Sequence, residues 1–449
     1  MDVDDDARTI GARARMIRRR RGLSLDVVAR LADITKTYLS MLELGQRGFN
    51  RRGLIEGLAI ALGCSVADLT GQPYAPLDRT TVEGRAALPA ISLALNDFGP
   101  DDVPDVTPRP LEVLASLADK ANEHCSQAHY SLAGHDVGSL LAESQARAFT
   151  GTTAERDQAF TAAVTACFVA GVVSSRAGNV DLATIAAQRG YDLAQQHDNP
   201  GLVGFARWYW ALELTSVGAR TRAHAVLSEG IDNLTPTVRF STADTLPAEI
   251  VGMMHLQQAR IAARQQRADE AHAHLDEAMR MADKVGERNG MRQHFGPTNV
   301  AAWRVSIGVE LTEGAKAYEK ATAAPIGIDA LGSRERASSL HFDFARALAQ
   351  EGGPRDAEAI RHLDAADRIA PTRIRSDPVA RDLVITLDRR ARRQVWELDS
   401  LRNRLGVGGQ GPQWSRPPAE TGSCAPVSAG GALRSRAAQG RDIQIGHQQ

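Results

Sequence analysis

Residues Leu23 to Gly45 read LSLDVVARLADITKTYLSMLELG, and this stretch sets the character of the N-terminal region. Ser24 is a good N-cap, and Leu25 to Ala32 then forms a short helix with Val28, Ala29 and Leu31 available to turn inward. Asp33-Ile34 interrupts it, since Asp tolerates the left-handed backbone of a tight turn, though less well than Gly. Thr35 caps a second helix, from Lys36 to about Leu44. Leu39 and Leu42 face the first helix, while Lys36, Thr37, Ser40 and Met41 fall on the opposite side. Two helices this short cannot bury themselves. Ile10, Ala14 and Ile17 before them, and Leu54, Leu58, Ala61, Leu62, Val66 and Leu69 after them, complete a core. The result is five short helices within about seventy residues, the size of a small independent domain.

Charge adds a partner. From Arg8 to Arg52 there are twelve basic side chains against Asp26, Asp33 and Glu43, a net of +9 in a chain whose total is −1. A basic segment confined to one small domain is the electrostatic footprint of a polyanion, although a run such as Arg18 to Arg21 alone reads equally as a solvated face.

The segments RRRRGLSLDVVARLA, TYLSMLELG and SVADLTGQPY carry a resemblance. From Ile10 to Leu69 the chain resembles the Cro/phage-repressor (XRE-type) helix-turn-helix family. Within it, the chain is similar to the actinobacterial regulators with a tetratricopeptide-like sensor region behind the DNA-binding domain. Leu25 departs from the polar residue usual there, and Asp33 from the usual Gly. The resemblance implies double-stranded DNA as partner and dimerisation through the repeat region.

The remainder reads as all-helical. Aromatics are only 5% of the 449 residues, and the four cysteines, Cys64, Cys125, Cys167 and Cys424, form no C-x-x-C pair that implies a disulfide framework or zinc site. The acidic start, MDVDDDAR, is the opposite of a secretory signal. Gln158 to Ser175 is uncharged but short and rich in small residues, and reads as a buried helix rather than a membrane span. These features fit a cytoplasmic protein with no membrane contact.

Five segments follow. Residues 1–8 are a disordered lead-in; 9–71 the helix-turn-helix domain; 72–110 a Pro-studded, semi-rigid arm with a short helix at Ile91 to Leu95. Residues 111–405 form amphipathic helices, as in Ala223, Val226, Leu227, Gly230, Ile231 and Leu234. Turn signals at Gly178-Asn179, Gly218, Gln266-Arg267, Gly314 and Gly352-Gly353 recur every forty to fifty residues or so, looser than a strict tetratricopeptide array. The expectation is a degenerate solenoid of about five or six helical hairpins with a concave face for a ligand. A last long helix, Val379 to Leu405, caps the array or serves a dimer. Residues 406–449, with nine Gly and four Pro, read as a disordered tail.

Chemistry-bearing motifs are scarce. Gly406 to Gly411 matches the dinucleotide fingerprint, but a helix precedes it and Pro412 follows, so it lacks the strand and helix that chemistry needs. Cys125 with His129, or His272 with His274, supply two ligands at most, so no metal and no cofactor are expected. H-E-x-x-H, G-x-S-x-G and P-loop patterns are missing from the sequence, and no enzymatic activity is expected.

The expected function is a sequence-specific transcriptional regulator, most usefully a homodimer on two half-sites. Lys36, Thr37, Ser40 and Met41 meet base edges; Arg20, Arg21, Ser24, Arg47, Arg51 and Arg52 hold phosphates, with Tyr38 offering its hydroxyl to one. Glu43 orients an arginine. A peptide or small-molecule effector is expected at the repeats, with Trp208, Trp210, Arg260 and Arg264 as candidate contacts, although such aromatics are more often core and such arginines solvated. The alternative is an interaction scaffold with only a weak DNA tether.

Overall fold

The computed structural model describes residues 9–74, 79–240, 244–391 and 395–407; the expected lead-in and nearly all of the expected tail lie outside them. No strand occurs among the described residues. The head comprises α1 (Ile10–Arg20), α2 (Leu25–Leu31), α3 (Lys36–Glu43), α4 (Arg52–Leu62) and α5 (Val66–Thr70). Its helix starts are fixed by short polar side chains. Thr9, Ser24 and Thr35 each accept a backbone N–H of the first turn, and Ser65 forms a capping box with Asp68. Asp33 takes the left-handed conformation at φ 53°, as the turn between α2 and α3 requires.

Val28, Ala29, Leu39, Leu42, Leu58 and Leu69 form the head's core. Leu31 does not join it and is 63% exposed. It stands two residues beyond buried Ala29, about 200° round the helix. Gly11 lets α1 cross α3 closely, because a Cβ there would come 2.0 Å from the Leu42 carbonyl oxygen.

The expected arm is not free. It contains α6 (Arg79–Arg85) and α7 (Leu88–Asp97), and Ile91, Ala94 and Leu95 of α7 are buried in the core of the repeats. Then follow α8 (Leu111–Ser126), α9 (Tyr130–Gly134), α10 (Val137–Thr150), α11 (Arg156–Arg176), α12 (Val180–Ala194), α13 (Pro200–Ser216) and α14 (Arg220–Leu234). The array continues with α15 (Leu246–Arg264), α16 (Ala268–Val285), α17 (Pro297–Glu310), α18 (Gly314–Ala323), α19 (Arg334–Ala349) and α20 (Asp356–Ile369). α21 (Pro371–Arg375), α22 (Pro378–Arg390) and α23 (Trp396–Leu405) close it. The long last helix expected from Val379 to Leu405 is therefore two described helices. Leu383, Leu387 and Leu398 are buried all the same.

From α11 to α20 the helices pair as antiparallel hairpins, and the turns repeat one geometry. Gly178, Gly218, Gln266 and Thr312 each take positive φ at the centre of a short turn. Gly314 instead begins α18. Helix α11 is long and apolar enough to cross a membrane by length and composition, but its apolar window is 78% buried within the fold.

The array curls back on itself. Helices α8, α11, α13, α15, α17 and α19 all line one central chamber. The start of α19 meets α8, α9 and α11: Ser333 Oγ donates to the Ser126 carbonyl, Tyr130 donates to Glu335, and Arg176 pairs with Glu335 at 2.6 Å. The expected open concave face is thus a ring. Thr312 carries a β-branched side chain at φ 65°, where glycine is at ease. Thr312→Gly relieves a left-handed cost of about 1–2 kcal/mol against a glycine entropy cost of about 0.5–1 kcal/mol, so it should raise the thermal midpoint; a lower midpoint would contradict the strain argument.

Candidate nucleic-acid interface and effector chamber

The outward face of α3 is open. Lys36 and Thr37 are exposed, while Ser40 and Met41 are half-buried on the same side. Arg20, Arg21 and Arg47 are also exposed, Arg21 lying against Gly63 at the α4–α5 junction and Arg47 beside the cleft that holds Tyr38, and Lys36 has no ion pair among the described residues. Ser24 is exposed, with its hydroxyl engaged in capping α2. Glu43 is buried at the inner end of α3 and accepts from Arg18 through both oxygens, at 2.6 and 2.8 Å. That bidentate pair fixes α1 against α3 and removes one positive charge from the surface.

Tyr38, Arg51 and Arg52 turn elsewhere. Tyr38 is half-buried in a cleft shared with Phe49, Asp382 and Thr386 of the C-terminal region. Arg51 donates to the Glu310 carbonyl at 3.4 Å and Arg52 to the Ser216 carbonyl at 3.5 Å. Both arginines, expected on phosphates, therefore sit between head and ring. They lie at the start of α4, and that end of the helix is what docks.

Docking is electrostatic at its centre. Helix α4 has no side-chain cap of its own, so its first amides need another acceptor. Glu310 of α17 supplies it, accepting from the Arg52 N–H at 3.3 Å and the Gly53 N–H at 3.2 Å. Burial alone would push the Glu310 carboxyl up, but Arg346 and Arg264 beside it bring it well below the usual range. Glu56, one turn on, is fully buried and takes Arg220 and Arg264 at 2.9 Å each, with Arg52 at 3.6 Å. Gly53 permits the approach, since a Cβ there would lie 2.8 Å from the Arg264 carbonyl oxygen. A second contact comes from α22: the Phe49 N–H donates to Asp382 at 2.6 Å, and Arg389 donates to the Gly45 carbonyl at 2.8 Å.

Beneath the head lies the chamber, about 320 Å³, with Arg52 of the head and Gln72 just after it among its lining. Of the effector candidates, Trp208 and Arg260 line it. Trp210 does not; it stacks on Tyr191 at 5.0 Å, with the Arg222 guanidinium 5.2 Å from its ring centre. Arg264 lines the chamber but is committed to Glu56. Tyr209, Glu213, Trp303 and Arg336 also face in. These four were not among the residues expected at the effector site. Glu56, Glu310 and Glu213 gave one weak signal, a helix start at Arg51-Arg52 with no polar cap. Among the described residues no three His, Cys, Asp or Glu side chains gather as metal ligands.

Fold and site together define a class of molecule: a helix-turn-helix head seated on a closed ring of helical hairpins, its outward face open. Residues 9–70 match a family model described as a helix-turn-helix domain. No curated protein shows a significant match. Among solved structures, the chain is similar to Bacillus thuringiensis PlcR, crystallised in complex with the peptide PapR7 and DNA. Identity is 13%, coverage 62% of this chain and 95% of that one, and the TM-score 0.26. A superposition that loose carries no argument here.

Glu56→Gln should unseat the head, because it leaves buried guanidiniums without their carboxylate, at a cost of about 3–5 kcal/mol. Differential scanning calorimetry should then show the head melting separately; one unchanged transition would contradict the docking account. Asp382 gives a pH test. Burial pushes its carboxyl from 3.8 up to about 6, so the folded state holds the proton more tightly. The resulting stabilisation is complete below pH 3.8 and lost as pH rises through about 6, on the order of 2–3 kcal/mol. Asp382→Asn should abolish that slope in chemical denaturation between those pH values.

Proposed function

We propose that this protein is a sequence-specific, double-stranded-DNA-binding transcriptional regulator of the Cro/XRE type, and a binding protein rather than an enzyme. The observation that carries the reading is the open outer face of α3, where exposed Lys36 and Thr37 stay accessible while the head is seated on the ring. In this reading α3 lies in the major groove. Lys36 donates to guanine, the Thr37 methyl and Met41 pack on thymine, and Ser40 completes the base contacts. Arg20, Arg21 and Arg47 hold phosphates and set register. Arg51 and Arg52 serve the docking contact instead.

One head spans few base pairs, so a cytoplasmic homodimer on half-sites about one helical turn apart supplies useful specificity. The ring senses a peptide or small-molecule effector, and the effector acts by favouring one spacing of the two heads over another. The shared wall between chamber and head, at Arg52, supports that coupling.

Selection from a random duplex library tests the reading. Lys36→Ala should change which sequences are recovered. Arg47→Ala should weaken binding to all of them alike and lower the salt slope by about one. Equal losses across sequences for both variants would break this division of labour. Retention of protein partners with no duplex retained would favour a scaffold instead.

A further inference from the structure

The chamber's charges do not cancel locally. Arg176 and Arg373 share Glu335, and Arg264 takes Glu56. Arg292 takes Asp119 and Glu123, while Glu310 and Asp343 are held by Arg346. Two lining guanidiniums are left. Arg260 donates to Thr215 Oγ1 at 3.0 Å and Arg336 to Asn299 Oδ1 at 2.8 Å. Neither has a carboxylate within 4.0 Å among the described residues, and both lie against Trp303, 5.6 and 5.2 Å from its ring centre. Arginine keeps its proton, so each contributes a full charge, half-buried on the chamber wall.

Around them are buried polar atoms with no partner: Arg260 Nε, Glu213 Oε2, Gln257 Oε1 and Trp208 Nε1. Glu213, Gln257 and Trp208 are only 3%, 1% and 6% exposed, and all line the chamber. Folded proteins leave few such atoms unsatisfied. Glu213, beyond ion-pair distance, offsets part of the Arg260 charge; water in the chamber satisfies dipoles, whereas a bound anion also completes the charge balance.

We propose that the chamber is a binding site for a small organic anion, a carboxylate or a phosphate monoester. Arg260 and Arg336 hold its acidic group beside Trp303, while an N–H or O–H of the ligand donates to Glu213 and Gln257. This names the chemistry of the effector and rests on the sensing reading above. The volume, about 320 Å³, suits a metabolite-sized ligand.

Calorimetric titration of the full chain tests the site, using inorganic phosphate, phosphoethanolamine, glutarate and, as the uncharged control, glutaramide. At least one anion should bind saturably and glutaramide should not; a phosphate or a carboxylate winner identifies the acidic group. Arg260→Gln and Arg336→Gln should each weaken the winner about tenfold or more, with Arg336→Lys losing less. Arg304→Gln, outside the chamber and paired with Asp276, should leave affinity unchanged, and thermal melts confirm that each variant folds. The inference is overturned if no anion binds up to about 10 mM, if glutaramide binds as well, or if the Arg260 and Arg336 variants bind like the parent. Duplex binding on the same preparations separates the two readings. Intact duplex binding without anion binding overturns this inference alone, and anion binding by a chain that holds no duplex supports the site while removing the regulator.

Discussion

Much of the arrangement depends on one buried carboxylate. Glu56 lies at the foot of the head with none of its side chain exposed, and three arginines converge on it, one from the head and two from the ring. An unpaired carboxylate in that position would cost several kcal/mol, and so would the arginines without it. The head and ring therefore satisfy each other. Glu310 works in the opposite sense, as a ring carboxylate at the uncapped N-terminus of a head helix, where the helix dipole and free amides favour negative charge. The two contacts orient α4, and α4 orients the head. α22 adds a third point at Asp382 and Arg389, beside the C-terminal end of α3.

This geometry puts the docking contact and the chamber wall on the same side chains. Arg52 belongs to the head, pairs with Glu56, and lines the chamber. Arg264 belongs to the ring, pairs with the same carboxylate, and lines the same chamber. A charged molecule entering the chamber changes the field at the docking contact without touching α3. Coupling of this kind needs only a difference in affinity between seated arrangements.

Local features of the head were legible in the sequence because they depend on local rules. Ser24, Thr35 and Asp33 act within a turn of themselves, and Leu39, Leu42, Leu58 and Leu69 follow the helical period. The hairpin turns at Gly178, Gly218 and Gln266 were legible for the same reason. Closure of the ring was not, because it rests on Ser126 meeting Ser333 and Tyr130 meeting Glu335 across some two hundred residues. The roles of Arg51 and Arg52 were misread, since a basic residue beside a reading helix looks the same whether it faces a phosphate or a distant glutamate. Trp210 was misread because three consecutive aromatics fix only that they diverge, not which one faces the ring's interior. The arm at residues 72–110 looked free because its prolines hid the apolar face of Ile91, Ala94 and Leu95.

The central claim is that the head reads a duplex while it stays seated. Hydrogen exchange of the full chain, with and without a selected duplex, addresses it at single amides. The account predicts that the Gly53 N–H, held by Glu310, exchanges slowly in both states, while side-chain and backbone protection near Lys36 and Thr37 increases only with the duplex. Rapid exchange at Gly53 once the duplex binds, or no change along α3, would contradict it.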